Sequence, residues 1–81
     1  MWGAIIDIPA HSDSGTFAHH GGEELVFMLE GCIRFELENY QGYTLEKYDT
    51  LYYPNYIGHR WINNCDEDAK ILIISTSPYK F

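Results

Sequence analysis

The chain contains few basic residues, and this scarcity argues against one class of partner. Five Lys and Arg face twelve Asp and Glu, which gives a formal net charge of −7. Neutralising a phosphate backbone requires clustered Lys and Arg, and no basic stripe is present in the sequence. Direct contact between this chain and a nucleic acid is therefore not expected.

Long apolar runs and export signals are also missing. No run approaches the roughly 18 apolar residues that a membrane-spanning helix needs. The opening MWGAIIDIPA lacks the charged start and the long apolar core of a signal peptide. We therefore expect a cytoplasmic protein without a membrane partner. Only two cysteines occur, Cys32 and Cys65, far apart and outside any CxxC pattern. In that compartment we expect two reduced structural thiols rather than a redox pair.

Segments with helical periodicity are absent as well, and short β-favouring runs recur between turn residues. The predicted strands cover 4–8, 16–20, 25–29, 33–38, 43–46, 50–53, 59–63 and 70–75. Short strands at near-regular spacing predict an all-β sandwich or barrel. We expect one domain over residues 1–81. A chain this short is marginally stable alone, so metal, a partner subunit or a larger parent chain would help to stabilise it.

Two of the predicted strands are apolar on both faces, namely 25–29 and 71–74. A strand in a small barrel needs only one apolar face, so the second face must be covered or form an exposed patch. In so short a chain few residues are spare to cover it. The pattern therefore favours a homodimer, most simply a two-fold one.

Two imidazoles and a carboxylate stand where such strands would bring them together. His20 and Glu24 lie four residues apart before the run 25–29, and His59 follows much later, behind Pro54. Alternate strand residues share a face, so neighbouring inward side chains would line the same pocket. The predicted ligand pocket consists of His20, Glu24, Val26, Met28, Tyr52, His59 and Trp61. Tyr53, of opposite parity to Tyr52, is the alternative source of the inward ring.

The chain resembles the cupin superfamily, cupin type 2, in two motifs. GTFAHHGGEELVFMLEG is similar to the first motif, with His20, then Glu24, then Gly31 in its spacing. YDTLYYPNYIGHRWIN is similar to the second motif, with Pro54, His59 and Asn63 in register. The resemblance implies a small jelly-roll β-barrel, a double-stranded β-helix of about eight short antiparallel strands. It also implies that the family's metal ligands carry over to His20, Glu24 and His59.

The departures from these motifs concern the metal. Ala18 stands where the family has the first histidine of a His-x-His pair, and His19 could replace it only at a strand bulge. The two glycines of the second motif fall on Tyr48 and Tyr56. Three ligands remain, which suit a divalent metal such as Zn, Fe, Mn or Ni. The alternative is a polar pocket whose histidines hydrogen-bond to Glu24 or to a ligand.

The chain looks most similar to the C-terminal sensor domains of bacterial helix-turn-helix transcriptional regulators. Its end, residues 64–69 and 76–78, resembles the tail of those proteins. This resemblance implies a domain that binds a small-molecule effector while a separate domain binds DNA. The alternatives are a metal-dependent enzyme of the dioxygenase, isomerase or decarboxylase type, and a dimerisation module with a vestigial pocket.

Overall fold

A computed structural model describes residues 1–76 as two four-stranded antiparallel sheets that face each other, and these residues include no helix. The strands are β1 (Trp2–Ile8), β2 (Ser12–Asp13), β3 (Glu23–Glu30), β4 (Ile33–Leu37), β5 (Gly42–Leu45), β6 (Thr50–Pro54), β7 (His59–Asn63) and β8 (Ala69–Ser75). One sheet has the order β1-β8-β3-β6 and the other β2-β7-β4-β5. The prediction of an all-β jelly-roll barrel is confirmed.

The segment predicted as a strand at 16–20 is the main difference from the expectation. The extended pair here is Ser12–Asp13, and the chain then turns at Gly15, whose φ is +88°. The Asp13 carboxylate accepts a hydrogen bond from the Gly15 amide (2.8 Å) and stabilises this turn. Beyond the turn only Ala18 pairs with β7, through two backbone hydrogen bonds to His59. The prediction of a regular strand at 16–20 is therefore wrong.

The core lies between the two sheets, where every second residue of each strand points inward. The largest fully buried side chains are Tyr53 and Phe35, and their rings contact each other at a centroid distance of 5.2 Å. The remaining buried apolar residues are Ile8, Val26, Met28, Ile33, Leu37, Leu45, Ala69, Ile71 and Ile73. Period-two burial of this kind fixes which side chains can reach the barrel interior.

The outer face of the β1-β8-β3-β6 sheet remains apolar at its centre. Ile5 is 63% exposed and Leu25 is 37% exposed. The register places Ile5 beside Leu72 and Leu72 beside Phe27, so these side chains form a continuous row across three strands. The strands predicted to be apolar on both faces therefore do present an outer apolar surface in the isolated chain.

Tyr48 occupies a backbone conformation that usually favours glycine. Its φ is +74°, in the left-handed region that side chains with a Cβ rarely adopt. This is one of the two positions where the second cupin motif has glycine and this chain has tyrosine. The Tyr48 ring stacks on Phe27 at a centroid distance of 6.1 Å. That contact partly offsets the cost of the conformation.

Residues 77 and 78, which belong to the predicted tail resemblance at 76–78, lie outside the described residues. Within residues 1–76, no helix is long and apolar enough to cross a membrane.

Candidate metal and ligand site

His20, Glu24 and His59 converge at one end of the barrel. Glu24 is the second residue of β3, His59 is the first of β7, and His20 lies in the loop before β3. One potential ligand atom from each of the three lies within 4.8 Å of the other two. The His20 Nε2 atom lies 3.6 Å from Glu24 Oε2, and the His59 Nε2 atom lies 3.6 Å from Glu24 Oε1. Glu24 is only 2% exposed.

The loop that carries His20 is held in place by Asn55. The His20 amide donates to the Asn55 carbonyl (3.0 Å), and the Asn55 amide donates to the Gly22 carbonyl (2.9 Å). The Asn55 side chain donates to the Gly21 carbonyl (3.1 Å). Gly22 has a φ of +89°, which permits the tight turn between the histidine and the strand. Asn55 is thus a positioning residue. The only sequence signal for it was a turn-forming residue directly after Pro54.

Backbone carbonyls orient both imidazoles toward Glu24. The His59 Nδ1–H group donates to the Ile57 carbonyl (2.8 Å), and the His20 Nδ1–H group donates to the Gly21 carbonyl (3.3 Å). With the proton on Nδ1, a neutral ring presents the Nε2 lone pair to the carboxylate. Burial lowers the pKa of His59, and this effect outweighs the carbonyl of Ile57 and the charge of Glu24, which raise it. His59 is therefore neutral at pH 7.

This arrangement fits a divalent cation. Glu24 Oε2 is buried and accepts no hydrogen bond from any residue in the described part of the chain. The Nε2 atoms of both imidazoles face this carboxylate, so a cation held between the three groups would satisfy the unpaired oxygen. Metal-binding histidines usually donate the N–H group of the nitrogen that does not bind the metal to a carbonyl or carboxylate, as both imidazoles do here. The donor set of two nitrogens and one carboxylate suits Zn, Fe, Mn or Ni.

Tyr53, and not Tyr52, supplies the inward phenol. The register pairs Glu24 with Tyr53 across β3 and β6, and the Tyr53 hydroxyl donates to Glu24 Oε1 (2.8 Å). Tyr53 is 1% exposed, whereas Tyr52 is 56% exposed and donates to the Glu23 carboxylate on the outer face. The expectation that Tyr52 lies in the pocket is wrong, because strand alternation turns it outward. The alternative, Tyr53, is the residue that points inward.

A cavity of about 120 Å³ opens beside the three residues. Its lining consists of Ser14, Thr16, Ala18, His20, Glu24, His59, Trp61 and Ile73. Ala18 contributes only a methyl group where the motif has a histidine, and this leaves room next to Glu24. Residues 14, 16 and 18 share parity with His20, and this was the available signal for Ser14 and Thr16. Val26 and Met28 point inward but belong to the core and do not line the cavity.

His19 does not replace the missing histidine. Its Nε2 atom lies 2.7 Å from Glu38 Oε1, on a side chain that is half exposed. Both side chains pack over Gly58, where an added Cβ would come within 2.6 Å of His19 Nε2 and 2.5 Å of Glu38 Oε1. The segment lacks the bulge that would turn His19 inward, so the fourth position remains a cavity rather than a ligand.

The sequence pattern of the family described as Cupin domain matches residues 4–75 of the chain. No curated protein sequence matches it closely. Solved structures give fold-level matches. A protein from Photorhabdus luminescens is 22% identical, with a TM-score of 0.84, and the alignment covers 94% of this chain and 62% of that one.

Two further structures carry functional descriptions of their own. A DMSP lyase from Ruegeria pomeroyi is 20% identical (TM-score 0.83), with 98% of this chain and 39% of that chain covered. A predicted oxalate decarboxylase from Thermotoga maritima is 20% identical (TM-score 0.80), with 90% and 63% covered. The chain thus spans between about two fifths and just under two thirds of the length of these three proteins. Such low identities establish the fold alone.

Proposed function

The chain belongs to the cupin domain family, and from this premise we propose that it is a small-molecule-binding domain whose ligand site is built on a divalent metal. One observation carries the proposal: the buried Glu24 Oε2 accepts no hydrogen bond in residues 1–76, while the Nε2 atoms of His20 and His59 face the same carboxylate. His20, Glu24 and His59 would hold the metal. When bound, the metal would act as a Lewis acid toward an oxygen donor.

The cavity beside this site determines the size of the ligand. Its volume of about 120 Å³ matches about four waters of liquid volume, so a ligand of only a few non-hydrogen atoms fits. Trp61 and Ile73 form apolar walls, and the hydroxyl of Thr16 offers a hydrogen bond, whereas that of Ser14 accepts from the Trp61 amide (2.9 Å). A small organic molecule with one anionic oxygen group suits this combination of a cationic floor, apolar walls and a hydroxyl.

The resemblance to regulator sensor domains supports a role for such a ligand as an effector. The domain would then be the ligand-binding module of a bacterial transcriptional regulator, and ligand binding would shift the balance between two of its conformations. The test is the gene around this coding segment. A helix-turn-helix segment in the same chain or transcript supports the role, whereas a set of purely metabolic neighbours contradicts it.

A metal-dependent enzyme is the second candidate function. Structural neighbours described as a DMSP lyase, a predicted oxalate decarboxylase and a sugar phosphate isomerase favour it. In the described part of the chain, however, the cavity wall carries no titratable side chain besides His20, Glu24 and His59. An acid or base separate from these three is therefore lacking, and this favours binding over a reaction.

We also propose that the domain forms a two-fold homodimer through the outer apolar face, which comprises Ile5, Leu25, Phe27, Leu72 and Ile74. The register brings these side chains together on one sheet face, with no charged residue inside the patch. An apolar surface that residues 1–76 leave partly exposed is well covered by the same surface of a second copy. A charged substitution in this patch, such as Leu25→Lys, should separate the two copies.

The metal and the ligand can be tested with adjacent histidines as a matched pair. The protein is purified without chelators, and its metal content is measured by elemental analysis. Acetate binding is then followed through the fluorescence of Trp61. We expect an equimolar first-row metal in the parent protein and in His19→Ala, because His19 faces Glu38. His20→Ala should lose the metal and the response to acetate.

Two outcomes would contradict the proposal. Equal metal loss in His19→Ala and His20→Ala would contradict the assignment of His20, and not His19, as a metal ligand. Acetate binding of equal strength after metal removal would mean that the cavity is a polar pocket without a metal. A Trp61→Phe variant is the control that assigns the fluorescence change to the cavity rather than to Trp2.

A further inference from the structure

The second feature of interest is a pair of thiols at the other end of the barrel. Cys32 lies in the turn between β3 and β4, and Cys65 lies in the connection between β7 and β8. The two Sγ atoms are 3.1 Å apart, although 33 positions separate the residues in the chain. No pattern in the sequence pairs these two cysteines. The fold places them in contact.

Both turns are held firmly by their surroundings. Gly31, with φ +75°, lies so close to the β7–β8 connection that an added Cβ would be 3.0 Å from the Asp68 carbonyl oxygen. The buried Asn63 side chain donates to the Glu67 carbonyl (3.0 Å) and accepts from the Cys65 amide (2.9 Å). Backbone packing therefore holds the two cysteine-bearing turns side by side.

The two thiols lie where a bond between them would link the two sheets. The β3–β4 turn and the β7–β8 connection each lead from one sheet to the other. β3 and β7 both run from the candidate metal site toward these turns, since Glu24 and His59 lie at the starts of these strands. A Cys32–Cys65 bond would thus join the two sheets at the end opposite the candidate metal site.

Small reagents can reach the thiols. A shallow depression of about 300 Å³ is lined by Gly31, Cys32, Cys65, Asp66 and Glu67, and neither cysteine is fully buried. The depression is acidic, and this selects among oxidants by charge. The hydrogen bond to Cys65 is the main cause that raises the pKa of Cys32, followed by burial and the charges of Cys65, Glu46 and Glu67. Thiolate formation at neutral pH is therefore limited.

We propose that Cys32 and Cys65 form a reversible intramolecular disulfide by exchange with small cationic or neutral disulfides. One thiol loses a proton and attacks the external disulfide, which releases one thiol and leaves a mixed disulfide. The second cysteine then loses its proton and displaces the other half as a second thiol. Two protein thiols are oxidised, the external disulfide is reduced to two thiols, and the Sγ–Sγ bond ties the two inter-sheet turns together.

The test compares two oxidants of opposite charge, cystamine and glutathione disulfide, at equal concentration. Intact mass spectrometry under non-reducing conditions should show a monomer that has lost two hydrogens. Peptide mapping should join Cys32 to Cys65. Steering by the acidic depression should make cystamine react about tenfold faster or more at low salt. Closing a loop of this length should raise the thermal midpoint by about 10 °C or more, and a reductant should reverse the rise.

The single variants Cys32→Ser and Cys65→Ser are the controls. Each should take up one mixed disulfide and show no rise in thermal midpoint. Metal content should be the same in oxidised and reduced protein, because the bond lies at the far end of the barrel. Stable mixed disulfides on both cysteines of the parent protein, or crosslinks only between chains, would overturn the proposal. So would an internal bond that lowers the thermal midpoint, because it would require the two turns to move apart from their native packing.

Discussion

Strands β3 and β6 are joined by a tyrosine–glutamate hydrogen bond on each face of their sheet, one outside the barrel and one inside it. Outside, Tyr52 donates a hydrogen bond to Glu23. Inside, Tyr53 donates a hydrogen bond to Glu24 (2.8 Å). The residue types are identical and the positions adjacent. Glu24 and Tyr53 are direct cross-strand partners, whereas Glu23 and Tyr52 are diagonal neighbours. The larger difference between the two pairs is their burial.

The outer pair is a solvated surface contact. Tyr52 is more than half exposed, and the hydrogen bond to Glu23 is the main reason that the pKa of its phenol is raised. Water can solvate the Glu23 carboxylate, so the pair requires no further partner. An exposed contact of this kind contributes little to stability.

The inner pair lacks that freedom. Glu24 is buried, Tyr53 satisfies only its Oε1 atom, and the Oε2 atom faces His20 without a hydrogen bond in residues 1–76. A buried carboxylate in this state destabilises the fold unless a cation compensates it. Burial, rather than the presence of a glutamate and a tyrosine, turns this pair into a candidate metal site.

The largest difference in metal affinity between the two faces is expected for the substitutions Glu24→Gln and Glu23→Gln. Glu24→Gln removes the one charged ligand and should weaken metal binding by more than about 100-fold, beyond the range typical of outer-shell changes. Glu23→Gln should change the affinity by less than about twofold, because exposed charges are screened. Isothermal titration of chelator-treated protein with Zn²⁺ or Mn²⁺ measures both values.

Circular dichroism and thermal melts of the metal-free variants form the control. Glu24→Gln should keep its β-sheet spectrum, because the amide can still accept the hydrogen bond from Tyr53. Equal affinity losses in the two variants would remove the distinction between the faces and, with it, the assignment of Glu24 as a ligand.

A smaller difference is expected when the phenol hydroxyls are removed. Tyr53→Phe leaves the ring between Phe35 and His59 but takes away the hydrogen bond that orients Glu24. Loss of such an outer-shell partner should weaken metal binding by about 10- to 100-fold. Tyr52→Phe should leave it unchanged. The same titration decides, and an unchanged affinity in Tyr53→Phe would mean that packing alone orients Glu24.

The inner trio could be predicted because strand parity and the two motifs of the family resemblance agree on the same three residues. His20 and Glu24 are separated by a short glycine turn, and His59 begins a strand whose alternation is evident from its sequence. The choice between Tyr52 and Tyr53 could not be made in the same way. It depends on the register between β3 and β6, which pairs Glu24 with Tyr53. A one-residue shift would have exchanged their roles.

Features that depend on packing between distant turns were beyond sequence reasoning. The contact of Cys32 with Cys65 requires the left-handed conformation of Gly31 and the hydrogen bonds of Asn63. The segment at 16–20 was expected as a strand because its residues favour one, but the turn at Gly15 and a single bridge at Ala18 determine its course. Local preference was overridden there by tertiary context.

The smallest effect at the metal site is expected from the outer apolar face. Leu25→Lys places a charge beside Tyr52 and Ile74, the cross-strand neighbours of Leu25 on the outer face. Because this charge does not reach the barrel interior, the metal affinity should change by less than about twofold. The same change puts a like charge from each copy into the proposed two-fold interface, where burial of an unpaired charge is costly. Light scattering coupled to size exclusion should show a dimer for the parent protein and a monomer for Leu25→Lys.

Thr44→Lys is the matched control. Thr44 is exposed on the other sheet, so this substitution adds the same charge away from the patch. It should remain dimeric. A monomeric parent protein, or dimers that persist equally in both variants, would contradict the proposed interface. If Leu25→Lys instead loses both the dimer and the metal, the two faces of β3 are coupled. The inner Glu24 pair would then depend on the assembly, whereas alternation along a single strand predicts that the faces act independently.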